Sequence, residues 1–184
     1  MQERAQATGA TRRRIVEATL SLHTERGVLA TSHSDVARLA DVSVGTVYHH
    51  FPTIDAIVRA CGAHVRDVYP LPPPESIDPQ SPRRQRIEAL ARELVAFYAR
   101  MPWLEKLRSE RNVVPALDAG LSAREEAINQ LIRRAAGRIS ARKLSIIAAI
   151  LDASVITRLT QSMSQKDVAK TLASVINSWL EGEQ

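Results

Sequence analysis

Residues 32–56, SHSDVARLADVSVGTVYHHFPTIDA, carry the spacing that most restricts the fold of this chain. Ser32 stands just before the run Val36, Ala37, Leu39 and Ala40, and Asp35 follows it by three residues, the Ser-x-x-acid spacing of a helix capping box. Asp41 and Val42 then interrupt the run, and Ser43 caps a second short helix that opens with Val44-Gly45-Thr46. Val47 and Phe51, four residues apart, share the inner face of that helix and leave Val44, Gly45, Thr46, Tyr48 and His49 mostly outward. Two short helices joined by a tight turn result. The second has small and hydrogen-bonding residues outward at its N-terminus, a shape that a DNA major groove admits.

The flanking sequence completes a three-helix unit. Thr11 is placed to cap a helix running to about Arg26, with Ile15, Ala18 and Leu22 on one face and Gly27 ending it. Thr53 caps a further helix through Ala56, Ile57, Ala60, Val65 and Val68. This helix is long enough to serve as a lever into whatever follows. The proline-rich stretch from Pro70 to Pro82 reads as a rigid non-helical connector. The expected division nevertheless falls inside the connecting helix, with residues 1–55 as one domain and 56–184 as the other.

Helical periodicity continues to the end of the chain. Ile87, Leu90, Ala91, Leu94, Phe97, Tyr98 and Met101 follow a 3.6-residue period until Pro102. Trp103, Leu104 and Leu107 mark a short amphipathic segment, and residues 112–120 read as a loop containing Pro115 and Gly120. A helix from Leu121 through Ile128, Leu131, Ile132 and Ala135 follows, weakened near its end by Gly137. Leu144 to Met163 reads as one helix with two apolar stripes, Leu144-Ile147-Leu151-Val155-Leu159 and Ile146-Ile150-Ala153-Ile156. A helix apolar on two faces has two surfaces to pack against. The last helix, about Gln165 to Glu181, carries Val168, Leu172, Val175, Ile176 and Trp179. The surplus apolar area points to a subunit interface made from Ile146, Ile150, Ala153, Ile156, Leu172, Ile176 and Trp179. No strand alternation or phosphate-binding glycine loop occurs, so the expected class is all-α: a helix-turn-helix domain joined to a helical bundle.

The segment from Ser32 to Ala56 resembles the TetR family of transcriptional regulators, whose pattern is close to T-x-x-x-I-A-x-x-A-G-V-S-x-G-T-x-Y-x-H-F. Val36-Ala37 stands for the I-A pair, Ala40-Asp41-Val42-Ser43 for A-G-V-S, and Gly45-Thr46-Val47-Tyr48-His49-His50-Phe51 for G-T-x-Y-x-H-F. Asp41 replaces the turn glycine, which its readiness to enter the left-handed region allows. Ile54 replaces a lysine common near the start of the next helix. The resemblance implies a homodimeric regulator that binds a pseudo-palindromic double-stranded operator and is released by a small-molecule effector, with dimerisation through the last two helices.

Within that frame Tyr48 is the leading DNA contact, its ring suited to the backbone or a thymine methyl and its hydroxyl to a phosphate. His49 is outward and suits a phosphate or base, and His50 fits a structural role. Gly45 is either a helix-start glycine or an allowance for close approach to DNA. Val44 and Thr46 share the outward N-terminal turn. Ser32, Ser43 and Thr53 are caps first and phosphate contacts second. Arg12, Arg13 and Arg14 are either a solvated helix face or phosphate and minor-groove contacts. The resemblance also implies an effector pocket, for which Phe97, Tyr98, Met101, Trp103, Arg108 and Asp152 are the candidates.

Charge supports this only locally. The net charge is +5, yet residues 1–67 hold eight Arg/Lys against seven Asp/Glu, the positive charge gathering at Arg4 and Arg12 to Arg14. A lone cysteine, Cys61, cannot form an internal disulfide and reads as an inert buried thiol. His49 and His50 point about 100° apart on a helix, a poor chelate, and no metal or cofactor is expected. The chain lacks an apolar run of about 18 residues and an apolar signal core, so no membrane association and a cytoplasmic location are expected. A helical small-molecule-binding enzyme and a constitutive DNA-binding protein without effector are the alternatives. The first would show turnover without sequence-specific binding, and the second needs no enclosed cavity.

Overall fold

The computed structural model describes residues 2–182, with side chains from residue 6 onward. In chain order the helices are α1 (Gln2–Arg26), α2 (His33–Ala40), α3 (Val44–His50), α4 (Ile54–Val68), α5 (Arg83–Ala99), α6 (Leu104–Arg108), α7 (Pro115–Ala136), α8 (Ala141–Ile150), α9 (Ala153–Thr160) and α10 (Gln165–Gly182). The described residues contain no strand, which makes the fold all-α. They pack as two units, residues 1–68 with 103–122 and residues 69–102 with 123–184.

In the first unit, α1 lies against α2 and α4, and α2 against α3. The core joins Ile15, Val16, Ala18 and Leu22 of α1 to Val36, Ala37 and Ala40 of α2, Val47 of α3, Phe51, and Ile57 and Cys61 of α4. Ile15 and Val47 are fully buried. Each such side chain stabilises the unit by about 1.5–3 kcal/mol relative to an exposed one. The sulfur of Cys61 lies 3.8 Å from the Val16 carbonyl, and burial pushes the thiol pKa up to about 12, so the residue is inert as expected.

Local chemistry sets the helix ends. The Ser32 hydroxyl accepts the Asp35 amide at 3.1 Å while the Asp35 carboxylate accepts the Ser32 amide at 3.2 Å, a complete capping box. Hydrogen bonds from the Ser32 hydroxyl and amide hold the Asp35 carboxyl well below the ordinary carboxylate range, with Arg38 and Arg26 assisting. Asp41 closes α2 in the left-handed region at φ 53° and ψ 56°, as its side chain permits. Gly27 ends α1 with φ +96°.

A second cluster in the same unit packs Val28 and Val58 against Leu107, Val114 and Ala116, with Trp103 and Leu117 at its edge. The Glu110 carboxylate accepts the Val28 amide at 2.6 Å and the Leu29 amide at 3.4 Å. Lys106 donates to the Glu25 carbonyl at the end of α1.

In the second unit, α5 packs along α10 and against α9. Ile87, Leu90, Ala91 and Leu94 of α5 and Val168, Ala173 and Ile176 of α10 are buried. Ser164 caps α10, accepting the Asp167 amide at 3.2 Å. The connector makes one 3-10 turn, Pro74–Ser76, and buries Ile77 completely. Arginines hold it: Arg86 donates to the Ser81 carbonyl at 2.6 Å and to that of Ala135 at 2.9 Å, and Arg134 to that of Ile77 at 3.0 Å.

Three element boundaries differ from the sequence reading. The first helix extends back to Gln2, so Thr11 lies within it; the preceding Glu, Arg, Ala and Gln residues favour helix without a cap. The expected loop at 112–120 ends early because α7 begins at Pro115, where proline is pre-organised as the first helical residue. The single helix expected from Leu144 to Met163 is two, α8 and α9, broken at Leu151 and Asp152. Asp152 caps α9, its carboxylate accepting the Ser154 amide at 2.9 Å and the Ser154 hydroxyl at 2.6 Å. A side chain that captures the backbone in this way competes with helix continuation.

Candidate nucleic-acid interface

The exposed surface of α3 is built from its first turn. Ser43 caps α3, accepting the Thr46 amide at 3.0 Å, and its hydroxyl lies 2.8 Å from the Thr46 hydroxyl. Val47 is the anchor of the helix in the core, which turns the opposite face outward. Val44 is 38% and Tyr48 51% exposed, and Gly45 and His49 are exposed beside them. A Cβ added to Gly45 would meet nothing nearer than the Ser43 hydroxyl at 3.7 Å. Packing within the chain therefore does not require glycine at this position.

The other candidates from the sequence lie at helix caps and on α1. Thr53 caps α4, accepting the Ala56 amide at 3.1 Å. Arg12, Arg13 and Arg14 are exposed on α1. The Arg12 guanidinium lies over the Phe51 ring at 4.9 Å, which ties one cation of the run to the C-terminal end of α3. The Arg4 side chain lies outside the described residues. Partial burial, with His49 and Arg12 nearby, depresses the pKa of His50. The rings of His49 and His50 stand 5.5 Å apart at 74°, and no group of three or more potential metal-ligating side chains occurs among the described residues. Reading the sequence missed His33, whose ring stacks on Tyr48 at 4.4 Å and 5°. Its location in the first turn of α2 was the available signal.

Residues 15–61 match the family model described as bacterial regulatory proteins, tetR family. This segment belongs to the TetR family. Its helix-turn-helix is of the DNA-binding type, and the fold around it is shared with solved TetR-like transcriptional regulators. No curated protein matches the chain by sequence. Solved structures with the same fold include the multidrug binding protein EbrR complexed with malachite green, at 23% identity over 90% of this chain and 96% of that one, TM-score 0.67. A TetR-like transcriptional regulator from Rhodococcus sp. RHA1 shares 18% identity over 94% and 96% of the two chains, TM-score 0.65. The fatty acid degradation regulator FadR from Bacillus halodurans shares 14% over 90% and 94%, TM-score 0.61.

The effector candidates separate. Phe97, Tyr98 and Met101 are buried together in the second unit, the two rings 5.1 Å apart edge to face. Arg124 covers the Phe97 ring at 5.3 Å and reaches the Met101 sulfur at 3.3 Å. Trp103 and Arg108 belong to the other unit, Trp103 against the Val28 cluster and Arg108 3.8 Å from Glu105. Asp152 is committed to its cap. The second unit also carries two open grooves. One of about 590 Å³ runs between α5 and α10 past Arg92, Val95, Lys166 and Ala169, and one of about 440 Å³ lies between Leu71–Pro74 and α7. None of the six candidates lines either groove.

Of the interface candidates, Ala153, Ile156, Leu172 and Ile176 are buried within the protomer. Ile146, Ile150 and Trp179 are half-buried. No helix among the described residues is long and apolar enough to cross a membrane.

Proposed function

We propose that the protein is a homodimeric transcriptional repressor of the cytoplasm that reads a pseudo-palindromic operator with α3 and releases it when a small molecule binds. The carrying observation is the outward face of α3. Gly45 is a glycine that packing does not demand, and Tyr48 presents a half-exposed aromatic ring beside it. Val44, Gly45, Thr46, Tyr48 and His49 would meet the groove, with Ser32, Ser43 and Thr53 near phosphate and Arg12 to Arg14 neutralising the backbone. Two such helices in successive major grooves need a spacing of about 34–36 Å, which a dimer supplies.

Residues 1–55 act as the reader in this scheme, and 56–184 hold the effector and dimerisation functions. The effector region is best supported at Phe97, Tyr98 and Met101, where Arg124 adds a cation to an aromatic cluster. EbrR, similar in fold, has been crystallised with malachite green and with imidazole, and small aromatic or cationic molecules are the first effectors to try. For a dimer surface, Ile146, Ile150 and Trp179 remain accessible.

The test is Tyr48→Ala on a DNA site enriched by the wild-type protein. Affinity falls by about 1–3 kcal/mol while sedimentation still reports a dimer. Equal affinity would remove Tyr48 from the contact surface.

A further inference from the structure

The aromatic face of α3 is held from α2. The His33 and Tyr48 rings lie 4.4 Å apart and only 5° from parallel, a face-to-face stack between residues fifteen positions apart. The same imidazole places Nε2 3.3 Å from the Phe51 carbonyl. That oxygen can only accept, so Nε2 carries the hydrogen and donates it. The Phe51 carbonyl lies just past the last residue of α3, where backbone acceptors have no partner within the helix. One side chain therefore touches α3 twice, once on its outward ring and once at its C-terminal end.

The base of this arrangement is rigid. His33 is the first residue of α2 and follows Ser32, which the capping box with Asp35 fixes on both sides. Asp35 is in turn held by Arg26 and Arg38, each at 3.3 Å. A half-exposed tyrosine without such a partner would sample several rotamers and lose that freedom on meeting DNA. A ring already stacked in one orientation has less to lose.

We propose that His33 is a positioning residue for DNA recognition, setting the plane of the Tyr48 ring before the operator is met. The inference rests on the reading of α3 as the DNA-contacting helix. It adds a residue that neither reads a base nor lies in the recognition helix.

The experiment has two arms on the full-length protein. In the first, without DNA, the Tyr48 ring protons are followed by NMR. They are shifted upfield by the imidazole in wild type, return toward unstacked values in His33→Ala, and stay shifted in His33→Phe, which restores an aromatic ring. In the second, binding to a site enriched from random DNA is measured for wild type, His33→Ala, His33→Phe, Tyr48→Ala and the His33→Ala/Tyr48→Ala double variant. His33→Ala weakens binding about threefold to tenfold, the range expected for an aromatic pair, and His33→Phe recovers most of the loss. In the Tyr48→Ala background His33→Ala has little further effect, which a merely structural role would not produce. Wild-type affinity in His33→Ala, or losses that multiply independently in the double variant, would overturn the proposal, as would unshifted Tyr48 protons in the wild type. If the NMR arm shows the stack but wild type enriches no site, the DNA-binding reading has failed and takes the proposed role with it.

Discussion

Gly27→Ala is the substitution for which the structure specifies the consequence most fully. Gly27 ends α1 at φ +96°, and a Cβ there would lie 2.3 Å from Oε1 of Glu110. An alanine in left-handed backbone costs about 1–2 kcal/mol. The clash itself is relieved by moving the carboxylate, the flexible end of a side chain, but that breaks its 2.6 Å bond to the Val28 amide. Leaving a buried amide unpaired costs about 1–3 kcal/mol. The two effects place Gly27→Ala at roughly 2–5 kcal/mol of destabilisation. Glu110→Ala removes the hydrogen bond without the backbone strain and costs about 1–3 kcal/mol. Once it is present, Gly27→Ala adds only the strain. The pair should therefore be non-additive, the double variant being about 1–3 kcal/mol more stable than the sum of the single losses implies. Urea unfolding of the four proteins, followed by far-ultraviolet circular dichroism, measures this directly. Strict additivity would mean that Glu110 does not occupy the space above Gly27 in solution.

Three further outcomes follow from individual residues. Burial lowers the pKa of His23 from 6.5 to about 4, so the unfolded chain takes up a proton more readily between those values. The stability from this residue is complete above about pH 6.5 and is lost as pH falls toward 4, leaving the protein about 2 kcal/mol less stable at pH 5 than at pH 7. His23→Leu should remove that part of the slope in urea titrations at the two pH values, and an unchanged slope would rule His23 out as its source. Asp41→Gly relieves a left-handed residue at φ 53° and should raise stability by up to about 1 kcal/mol; a lower urea midpoint would contradict this. Ile150→Glu puts charge on a half-buried position of the proposed dimer surface and should give monomers in sedimentation that bind DNA poorly, whereas an intact dimer would place the interface elsewhere.

The helix-turn-helix was legible because its signals are local. Ser32, Asp35, Ser43 and Thr53 bond to amides three residues away, and Asp41 takes the left-handed turn by its own side-chain preference. The break before α9 was less visible, since the apolar period of residues 144–163 runs straight across it. The cap made by Asp152 and Ser154 overrides that period, and four of the seven expected interface residues turn into the protomer. Trp103 is an expected effector residue alongside Phe97 and Tyr98, but Pro102 ends their unit and Trp103 joins the Val28 cluster. The bond between Glu110 and Val28 and the stack of His33 on Tyr48 link distant positions. No periodicity in a single sequence encodes such pairs; they emerge only when the helices meet.

Whether α3 reads DNA sequence as one half of a symmetric pair is decided by selecting bound DNA from a random-sequence pool with purified protein at fixed salt. The expected result is enrichment of an inverted repeat whose half-sites are one helical turn apart, about 34–36 Å, or a multiple of it. A pool that shows no enriched sequence after selection would contradict it.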